Sequence, residues 1–311
     1  MSDHSKDPQT SQSIAAESRG FQIRKRKRWP IVVSALAVAV IVAGLIVVKV
    51  QSDSAAAQST EHFTGSLKVA YLSSDAAQEA LLKYIAKDVA PKHDITIVPV
   101  GIGDPNQVAE ATNSGAVAGT IYAHKPWIEQ TNASAGWKIT ATEPVFQWAY
   151  SVYSSKYSSI NDLPDGATIA ILDDPANTAQ ALILLSKAKL ITLDPSVDPA
   201  KSTLNDIAKN PHHYVLKPIA FGSAARSLDD FAAIVSYNFE FIAAGTSQQD
   251  KIYAPPASRV FAGQLAIATK YLDEPNIVKL IATFKDPAIA TYLSTTNDPH
   301  VKDQLTAVSP E

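Results

Sequence analysis

Residues 165–177, which read DGATIAILDDPAN, decide the fold class. The apolar run Thr168–Leu172 predicts a buried strand. Asp174 and Pro175 are typical of the N-cap and first turn of a helix, so the strand is expected to lead into the apolar helix Ala179–Leu190. The stretch is therefore one strand–loop–helix unit of an α/β fold.

The same pattern recurs on both sides of this stretch. Leu67–Leu72 reads as a strand and precedes a helix that Ser74 is expected to cap. Ala116–Tyr122 reads as another strand, and the next helix begins at His124–Trp127. Strands that alternate with helices favour an open α/β sheet, and a strand-rich stretch near 140–155 favours two lobes. Ligands of such sheets bind beyond the carboxyl ends of the strands, so the loops there are the candidate sites.

Composition excludes several classes of protein. The chain has 311 residues, no cysteine and a net charge of −3. A chain without cysteine has no disulfide, no Cys-ligated metal and no cysteine nucleophile. The slightly acidic balance also disfavours a nucleic-acid-binding protein, which is usually basic.

The N-terminal segment predicts a membrane anchor. Five basic residues, Arg24–Arg28, precede the apolar run Ile31–Val48. Eighteen helical residues span about 27 Å, close to the ~30 Å hydrocarbon core. The basic run is expected to stay in the cytoplasm and the body to lie outside. The alternative is a signal peptide cleaved before Gln58, after the small residues Ala55–Ala57.

Catalytic motifs are missing from the sequence. It contains no G-x-S-x-G, H-E-x-x-H or G-K-[ST] pattern. His124 lies in a strand-to-helix loop with Tyr122, Lys125 and Trp127, where an imidazole and two aromatic rings suit a ligand pocket. We expect its side chain to face an open, wet cleft. No metal or cofactor is predicted.

Several segments resemble the MetQ/NlpA family of solute-binding proteins of ABC transporters. Residues 121–129, IYAHKPWIE, resemble its H-K-P-aromatic segment, and residues 165–177 resemble its D-G-A-x-[IV]-A-[IV]-x-x-D-P-x-N segment. Pro105-Asn106, Ser227–Asp230 and Tyr237-Asn238 also match, in family order, across about 67–311.

The resemblance implies a two-lobed, periplasmic-binding-protein-like (type 2) α/β fold with a ligand cleft between the lobes. It implies that the chain binds methionine or a related amino-acid-like molecule outside the cytoplasm and delivers it to an ABC permease and its ATPase subunits. No catalysis is implied. The position-by-position match gives these ligand-binding residues: Tyr122, His124, Trp127, Asn177, Gln180 and Asn238.

The sequence departs from the family pattern in three places, and two of them bear on the ligand. Gln180 stands where the family usually has an Arg that clamps the α-carboxylate, and Ile102 stands where it tends to have Tyr. A guanidinium binds a carboxylate in a charge-assisted fork, whereas Gln offers only a neutral amide. Methionine, a blocked amino acid, a peptide-like molecule and a less anionic ligand therefore all stay open, and Lys125 or a helix N-terminus could still bind a carboxylate. The family's lipidated Cys is also missing, and the 31–48 segment can supply the tether.

Two other functions compete with transport. One is an anchored extracellular enzyme that uses Asp173, Asp174 and His124, and the other is a non-transport sensor or surface protein on the same scaffold. The expected organisation is a cytoplasmic disordered tail at 1–28, a single-pass anchor at 29–50, a linker at 51–65, one lobe at 66–148 and 238–311, and a second lobe at 149–237.

Overall fold

A computed structural model describes residues 61–309. The predicted tail at 1–28 and the predicted membrane segment at 31–48 lie outside the described residues. No helix within 61–309 is long and apolar enough to cross a membrane.

The first sheet is mixed and has six strands in the order β13-β4-β12-β3-β1-β2. Strand β1 runs parallel to β2 and β3, and the pairs β12–β3, β12–β4 and β13–β4 are antiparallel. Its strands are β1 (Leu67–Leu72), β2 (Ile97–Ile102), β3 (Gly119–Thr120), β4 (Ile139–Trp148), β12 (Ala262–Ala268) and β13 (Leu305–Thr306).

The second sheet has five strands in the order β11-β5-β10-β6-β9. Strand β6 is parallel to β9 and β10, and β5 is antiparallel to β10 and β11. Its strands are β5 (Tyr150–Tyr153), β6 (Thr168–Leu172), β9 (Val215–Ile219), β10 (Ala233–Tyr237) and β11 (Lys251–Tyr253). A separate two-stranded sheet joins β7 (Thr192–Leu193) to β8 (Ile207–Lys209).

The α-helices of residues 61–309 mostly follow strands, as the strand–helix pattern predicts. They are α1 (Ala76–Tyr84), α2 (Pro105–Ser114), α3 (Lys125–Ala135), α4 (Pro175–Lys187), α5 (Asn238–Ala243), α6 (Pro275–Phe284) and α7 (Pro287–Thr295). Helices α2, α3, α4, α6 and α7 each have Pro in the first turn, where its missing N–H costs no hydrogen bond.

The chain crosses between the two sheets in two neighbouring places. Only Ala149 separates β4 from β5, whereas eight residues, 254–261, separate β11 from β12. The crossings run side by side because β4 pairs with β12 on one side and β5 pairs with β11 on the other. Strand β11 thus belongs to the second sheet, although the expected lobe division places 238–311 with the first.

Local details differ from the sequence predictions where a side chain decides the boundary. Asp75, and not Ser74, caps α1, because its Oδ1 accepts the N–H groups of Ala77 and Gln78. Helix α4 begins at Pro175 and not at Ala179, because the Asp174 carboxylate caps it as predicted.

The end of the expected linker packs against the body. The backbone N–H groups of His62 and Phe63 donate to the carboxylate of Glu274, and the His62 ring stacks on Tyr271 with centroids 4.6 Å apart. These contacts fix the chain just before β1.

Candidate functional site

Two helix N-termini meet where the sheets face each other. Helix α3 follows β3 of the first sheet, and helix α4 follows β6 of the second. The Ala176 N–H at the start of α4 donates to Gln130 Oε1 of α3 at 3.0 Å, so the helices are in direct contact. The loops that precede them lie at strand ends, where α/β proteins place ligands.

His124 is the N-cap of α3 and is buried. Its Nδ1 accepts a hydrogen bond from the backbone N–H of Trp127 at 3.2 Å. The backbone of His124 forms an isolated antiparallel β-bridge with Gly263 of β12. Gly263 is needed there, because a Cβ would lie 2.5 Å from the Phe146 ring. His124 is only 3% exposed, so the expectation that it faces a wet cleft is wrong. Its ring is enclosed by both halves of the molecule.

Burial also sets the protonation state of His124. Loss of solvation lowers its pKa from 6.5 to about 4, although the hydrogen bond to Asn177 opposes the shift. The ring is therefore neutral at physiological pH. Since Nδ1 accepts a hydrogen bond, the proton is on Nε2, which donates to Asn177 Oδ1 at 3.2 Å.

Asn177 of α4 links the two halves of the site. Its amide Nδ2 donates to Asp174 Oδ2 at 2.7 Å, which fixes the orientation of the amide. Its Oδ1 then accepts from His124 on one side and from the Tyr237 hydroxyl, at 2.7 Å, on the other. The Asn177 side-chain amide thus connects the two N-cap residues, His124 of α3 and Asp174 of α4, to Tyr237 at the end of β10.

Tyr237 connects Asn177 to Gln180. Its hydroxyl lies 3.0 Å from the Gln180 side-chain amide as well as 2.7 Å from Asn177 Oδ1. A hydroxyl has only one hydrogen, and we assign it to the shorter hydrogen bond, to Asn177 Oδ1. Rotation of the Gln180 amide group by 180° then allows its N–H to donate to the Tyr237 oxygen. Burial, with the nearby Tyr150 and Asp174, raises the Tyr237 pKa well above its usual range, so the hydroxyl stays protonated.

Two adjoining cavities surround this network. The central cavity is lined by Tyr122, Ala123, His124, Trp127, Trp148, Asn177, Phe221, Tyr237 and Phe239. The adjoining cavity shares four of these residues and adds mostly polar groups, among them Asp173 and Asp174. Among the described residues that line these two cavities there is no Lys or Arg. The central cavity is therefore mainly aromatic, and the adjoining cavity carries two carboxylates.

Most predicted site residues lie together here. Tyr122 and Trp127 line both cavities, and their rings meet edge to face with centroids 5.4 Å apart. His124 and Asn177 form the network, and Gln180 joins it through Tyr237. Asn238 lines neither cavity: it is buried at the start of α5, its backbone N–H donates to Ala149 O, and its Oδ1 has no hydrogen-bond partner among residues 61–309.

The sequence prediction missed several residues of the central cavity. Tyr237 was noted only beside Asn238, although it ends a strand whose carboxyl end faces the site. Trp148 is held by Asp75 Oδ2, which accepts its indole N–H at 3.0 Å, and this contact spans 73 residues. Position at a strand end could have indicated Tyr237, but no local pattern indicates Trp148 or Phe221.

Comparison with known proteins gives a consistent result. The family model described as NlpA lipoprotein matches residues 67–304. Lipoprotein 28 of Escherichia coli K12 is 28% identical over 215 residues, which are 68% of this chain and 79% of the relative. The D-methionine-binding lipoprotein MetQ of the same strain is 24% identical over 216 residues, with the same coverage of both chains.

Solved structures show the same fold. An ABC transporter periplasmic substrate-binding protein from Coxiella burnetii superposes with a TM-score of 0.67 at 26% identity. The match covers 78% of this chain and 99% of that one. The two sheets therefore form the two-domain α/β fold of periplasmic binding proteins.

Proposed function

Because the chain belongs to the NlpA lipoprotein family, we propose that it is the extracytoplasmic solute-binding component of an ABC importer. Its ligand is methionine or a related amino-acid-like molecule, which it delivers to a membrane permease driven by ATPase subunits. The observation that carries the proposal is the hydrogen-bonded contact of His124, Asn177 and Tyr237 across an aromatic cavity between the two sheets.

The chemistry of the central cavity suits a methionine side chain. Its walls include Tyr122, Trp127, Phe221 and Tyr237. A thioether packs favourably against aromatic rings, with about 0.3–1.5 kcal/mol for each contact. The amide and hydroxyl groups of Asn177 and Tyr237 can turn towards the polar end of a ligand when the lobes separate.

The geometry supports binding better than catalysis. Both ring nitrogens of His124 are already engaged, one by the Trp127 N–H and the other by Asn177. Asp174 caps α4 and holds Asn177 with its second oxygen. The enzyme alternative needs His124 or Asp174 to act as an acid or base together with the exposed Asp173, and neither His124 nor Asp174 is free in this arrangement.

The proposed lobes follow the two sheets. We assign 66–148 and 262–309 to one lobe and 150–253 to the other, with Ala149 and 254–261 as the hinge. This division moves β11 into the second lobe, in keeping with its pairing to β5.

The membrane tether is part of the same proposal. Residues 31–48 would cross the membrane once, with the basic tail in the cytoplasm and the body outside. Full-length protein would then fractionate with membranes and keep its first 50 residues. A mature chain that begins at Gln58 would show a cleaved signal peptide instead.

Isothermal titration calorimetry of the purified full chain with L-methionine tests the binding function, and native mass spectrometry identifies any ligand that stays bound. We expect saturable binding. His124→Ala should weaken it by about 5- to 150-fold, because the loss of a buried hydrogen bond and of part of the aromatic wall costs about 1–3 kcal/mol. The matched control is His213→Ala, which changes an exposed histidine that is distant from His124 in the sequence. Turnover of a substrate, or no amino-acid-like ligand of any kind, would contradict the proposal.

A further inference from the structure

Trp148 lies where the first sheet passes into the second. It is the last residue of β4 and precedes Ala149, the one-residue crossing to β5. It lines the central cavity, and its ring meets the Tyr237 ring of β10 at an angle of 66°, with centroids 5.6 Å apart. Because Tyr237 donates to Asn177, the indole supports the hydrogen-bonded network from the side of the first sheet. The orientation of this ring therefore shapes the cavity.

A buried carboxylate fixes the indole. Asp75 Oδ2 accepts the Trp148 indole N–H at 3.0 Å and the Gln78 side-chain N–H at 2.8 Å. Asp75 Oδ1 accepts the backbone N–H groups of Ala77 and Gln78. Asp75 is fully buried, and it lines neither the central cavity nor the cavity that adjoins it. Its contact with the cavity wall is therefore indirect, through Trp148.

Gln78 fixes the carboxylate in turn. Its Nε2 donates to Asp75, and its Oε1 accepts the backbone N–H of Leu72 at 3.2 Å, so the amide cannot turn over without losing both hydrogen bonds. Gln78 is also fully buried. The indole of Trp148 is thus connected, through two side chains, to the end of β1 and the first turn of α1. Regular elements of the first sheet's side of the molecule hold the ring in place.

A carboxylate is a costly acceptor for a tryptophan whose role is only to fill space. An indole N–H is a donor only, and a neutral backbone carbonyl can satisfy it. Burial raises the pKa of the Asp75 carboxyl group, and the hydrogen bonds from Trp148 and Gln78 oppose the shift. The groups that contact its two oxygens are all donors, which favours the ionised form. A charge-assisted hydrogen bond is about twice as strong as a neutral one, so it fixes the ring more firmly.

We infer that Asp75 is a positioning residue of the ligand site, which acts by fixing the Trp148 indole as a wall of the cavity between the two sheets. This inference rests on the proposed function, since it concerns how the same cavity holds its ligand. Asp75 itself does not touch the ligand. When the sheets separate, Trp148 parts from Tyr237 and keeps its orientation through Asp75. A wall that is already in place lowers the conformational cost of binding.

The variant Asp75→Asn removes the acceptor and keeps the shape of the side chain. Asn also caps helices well, so its Oδ1 can still accept the two backbone N–H groups, while its Nδ2 faces the indole N–H as a second donor. We expect L-methionine to bind the full chain about 10-fold more weakly in calorimetric titration, because the bond that orients the wall is lost. Binding within twofold of the parent chain overturns the inference.

The variant Trp148→Phe separates positioning from a general loss of structure. Phenylalanine keeps an aromatic wall but has no N–H for the carboxylate. If Asp75 acts through the indole, Asp75→Asn should change methionine binding by less than twofold in the Trp148→Phe chain. A further 10-fold loss in the double variant would mean that Asp75 acts by another route, and it overturns the inference.

The matched control is Asp286→Asn. Asp286 also caps a helix, since its Oδ1 accepts the Ala288 N–H at 2.9 Å, and its Oδ2 contacts a ring nitrogen of His93 at 3.0 Å. It lines neither of the two cavities. Methionine binding should stay within twofold of the parent chain. A loss equal to that of Asp75→Asn would assign the effect to a weakened helix cap and overturns the inference.

Hydrogen exchange of the indole N–H tests the inference without a ligand. The chain has four tryptophans, and in nuclear magnetic resonance of the isotope-labelled, detergent-solubilised full chain Trp148→Phe identifies the Trp148 signal. We expect this N–H to exchange at least 10-fold faster in Asp75→Asn than in the ligand-free parent. Equal rates overturn the inference, whether or not methionine binds. If the parent binds no methionine and the rates differ as expected, the proposed function fails and the placement of Trp148 by Asp75 stands.

Discussion

His124 in the cleft and Glu240 in α5, the helix that follows β10, are both buried, and their hydrogen-bonding groups are satisfied to different degrees. His124 in the cleft has a hydrogen bond on each ring nitrogen. Glu240 of α5 is 8% exposed, and its Oε1 accepts from the Ser236 hydroxyl at 3.0 Å. Its Oε2 makes no hydrogen bond of normal geometry among residues 61–309, although the backbone N–H groups of Ala224 and Gly222 lie near the carboxylate.

The pKa shifts of the two groups follow from their surroundings. Burial lowers the pKa of His124 to about 4, and burial raises the pKa of Glu240 to about 7. Ser236 and the backbone N–H groups of Ala224 and Gly222 oppose the shift of Glu240 without cancelling it. His124 is therefore fixed in one neutral form and acts by geometry, whereas Glu240 changes its charge near neutral pH beside the segment that carries Phe221.

Breaking the satisfied region should give the largest effect. Asn177→Ala removes the common partner of His124, Tyr237 and Asp174. It leaves His124 Nε2 unpaired, whereas Tyr237 keeps its contact with Gln180 and Asp174 keeps the backbone N–H at position 177. A buried unpaired group costs about 1–3 kcal/mol, and the free energy of unfolding should fall towards the upper end of that range, because Tyr237 and Asp174 each lose a second bond. Denaturant titration followed by tryptophan fluorescence measures this. Asn161→Ala, at an exposed position, is the control, and a loss similar to that of the control would mean that the network contributes nothing.

The pH dependence of stability sharpens the comparison, because the two groups act in opposite directions. The unfolded state binds more protons than folded His124 between pH 4 and 6.5, so this group makes stability rise with pH. Folded Glu240 binds more protons than the unfolded state between about pH 4.5 and 7, so it makes stability fall with pH. Each contributes about 3 kcal/mol over its range, and the two nearly cancel between pH 4.5 and 6.5.

Two variants separate these contributions. Relative to the parent chain, Glu240→Gln should gain stability by about 3 kcal/mol as pH rises from 4.5 to 7, because the falling contribution is removed. His124→Gln should show the opposite relative trend from pH 4 to 6.5. Parallel curves for parent and variant would mean that the group keeps its ordinary pKa in the folded protein.

The smallest expected effect concerns ligand preference at the edge of the network. Gln180→Arg places a guanidinium beside the Tyr237 hydroxyl. Methionine should bind about 10-fold more tightly, since charge-assisted bonds exceed neutral ones by about 1–2 kcal/mol. Methioninamide, which lacks the carboxylate, should gain nothing. Calorimetric titration of methionine and methioninamide into the parent chain and the variant measures both affinities. An equal gain in affinity for methioninamide would exclude a contact between the guanidinium and the carboxylate.

Elements with a strong local signal were predictable from the sequence. Strand β1 occupies Leu67–Leu72 as predicted, because it is an apolar run bounded by polar residues. The Asp174 cap was also predictable, because the chemistry of a helix start is local. Strand β3 is only Gly119–Thr120 within the expected Ala116–Tyr122, since neighbouring residues turn to form the cleft loop.

The central part of the site was predictable only in part. His124 stood out by residue type and by its position after a strand, and Asn177 stood out only through the family resemblance. Their contact joins residues 53 apart in the sequence. Tyr237, the other partner of Asn177, is 60 residues further on. The burial of His124 depends on the distance between the two sheets, and no single segment of the sequence determines that distance.

The unequal lengths of the two crossings between the sheets have a mechanical consequence. In the proposed division into lobes, the one-residue crossing at Ala149 would act as the pivot, because β4 and β5 continue on either side of it almost without interruption. The eight-residue crossing at 254–261 lies beside it and must change shape as the angle between the lobes changes. Pro255 and Pro256 stiffen this segment where it lines the cavity beside Tyr150 and Gln180. In the proposed division into lobes, the remaining residues of 254–261 would therefore take up most of any change in backbone angle.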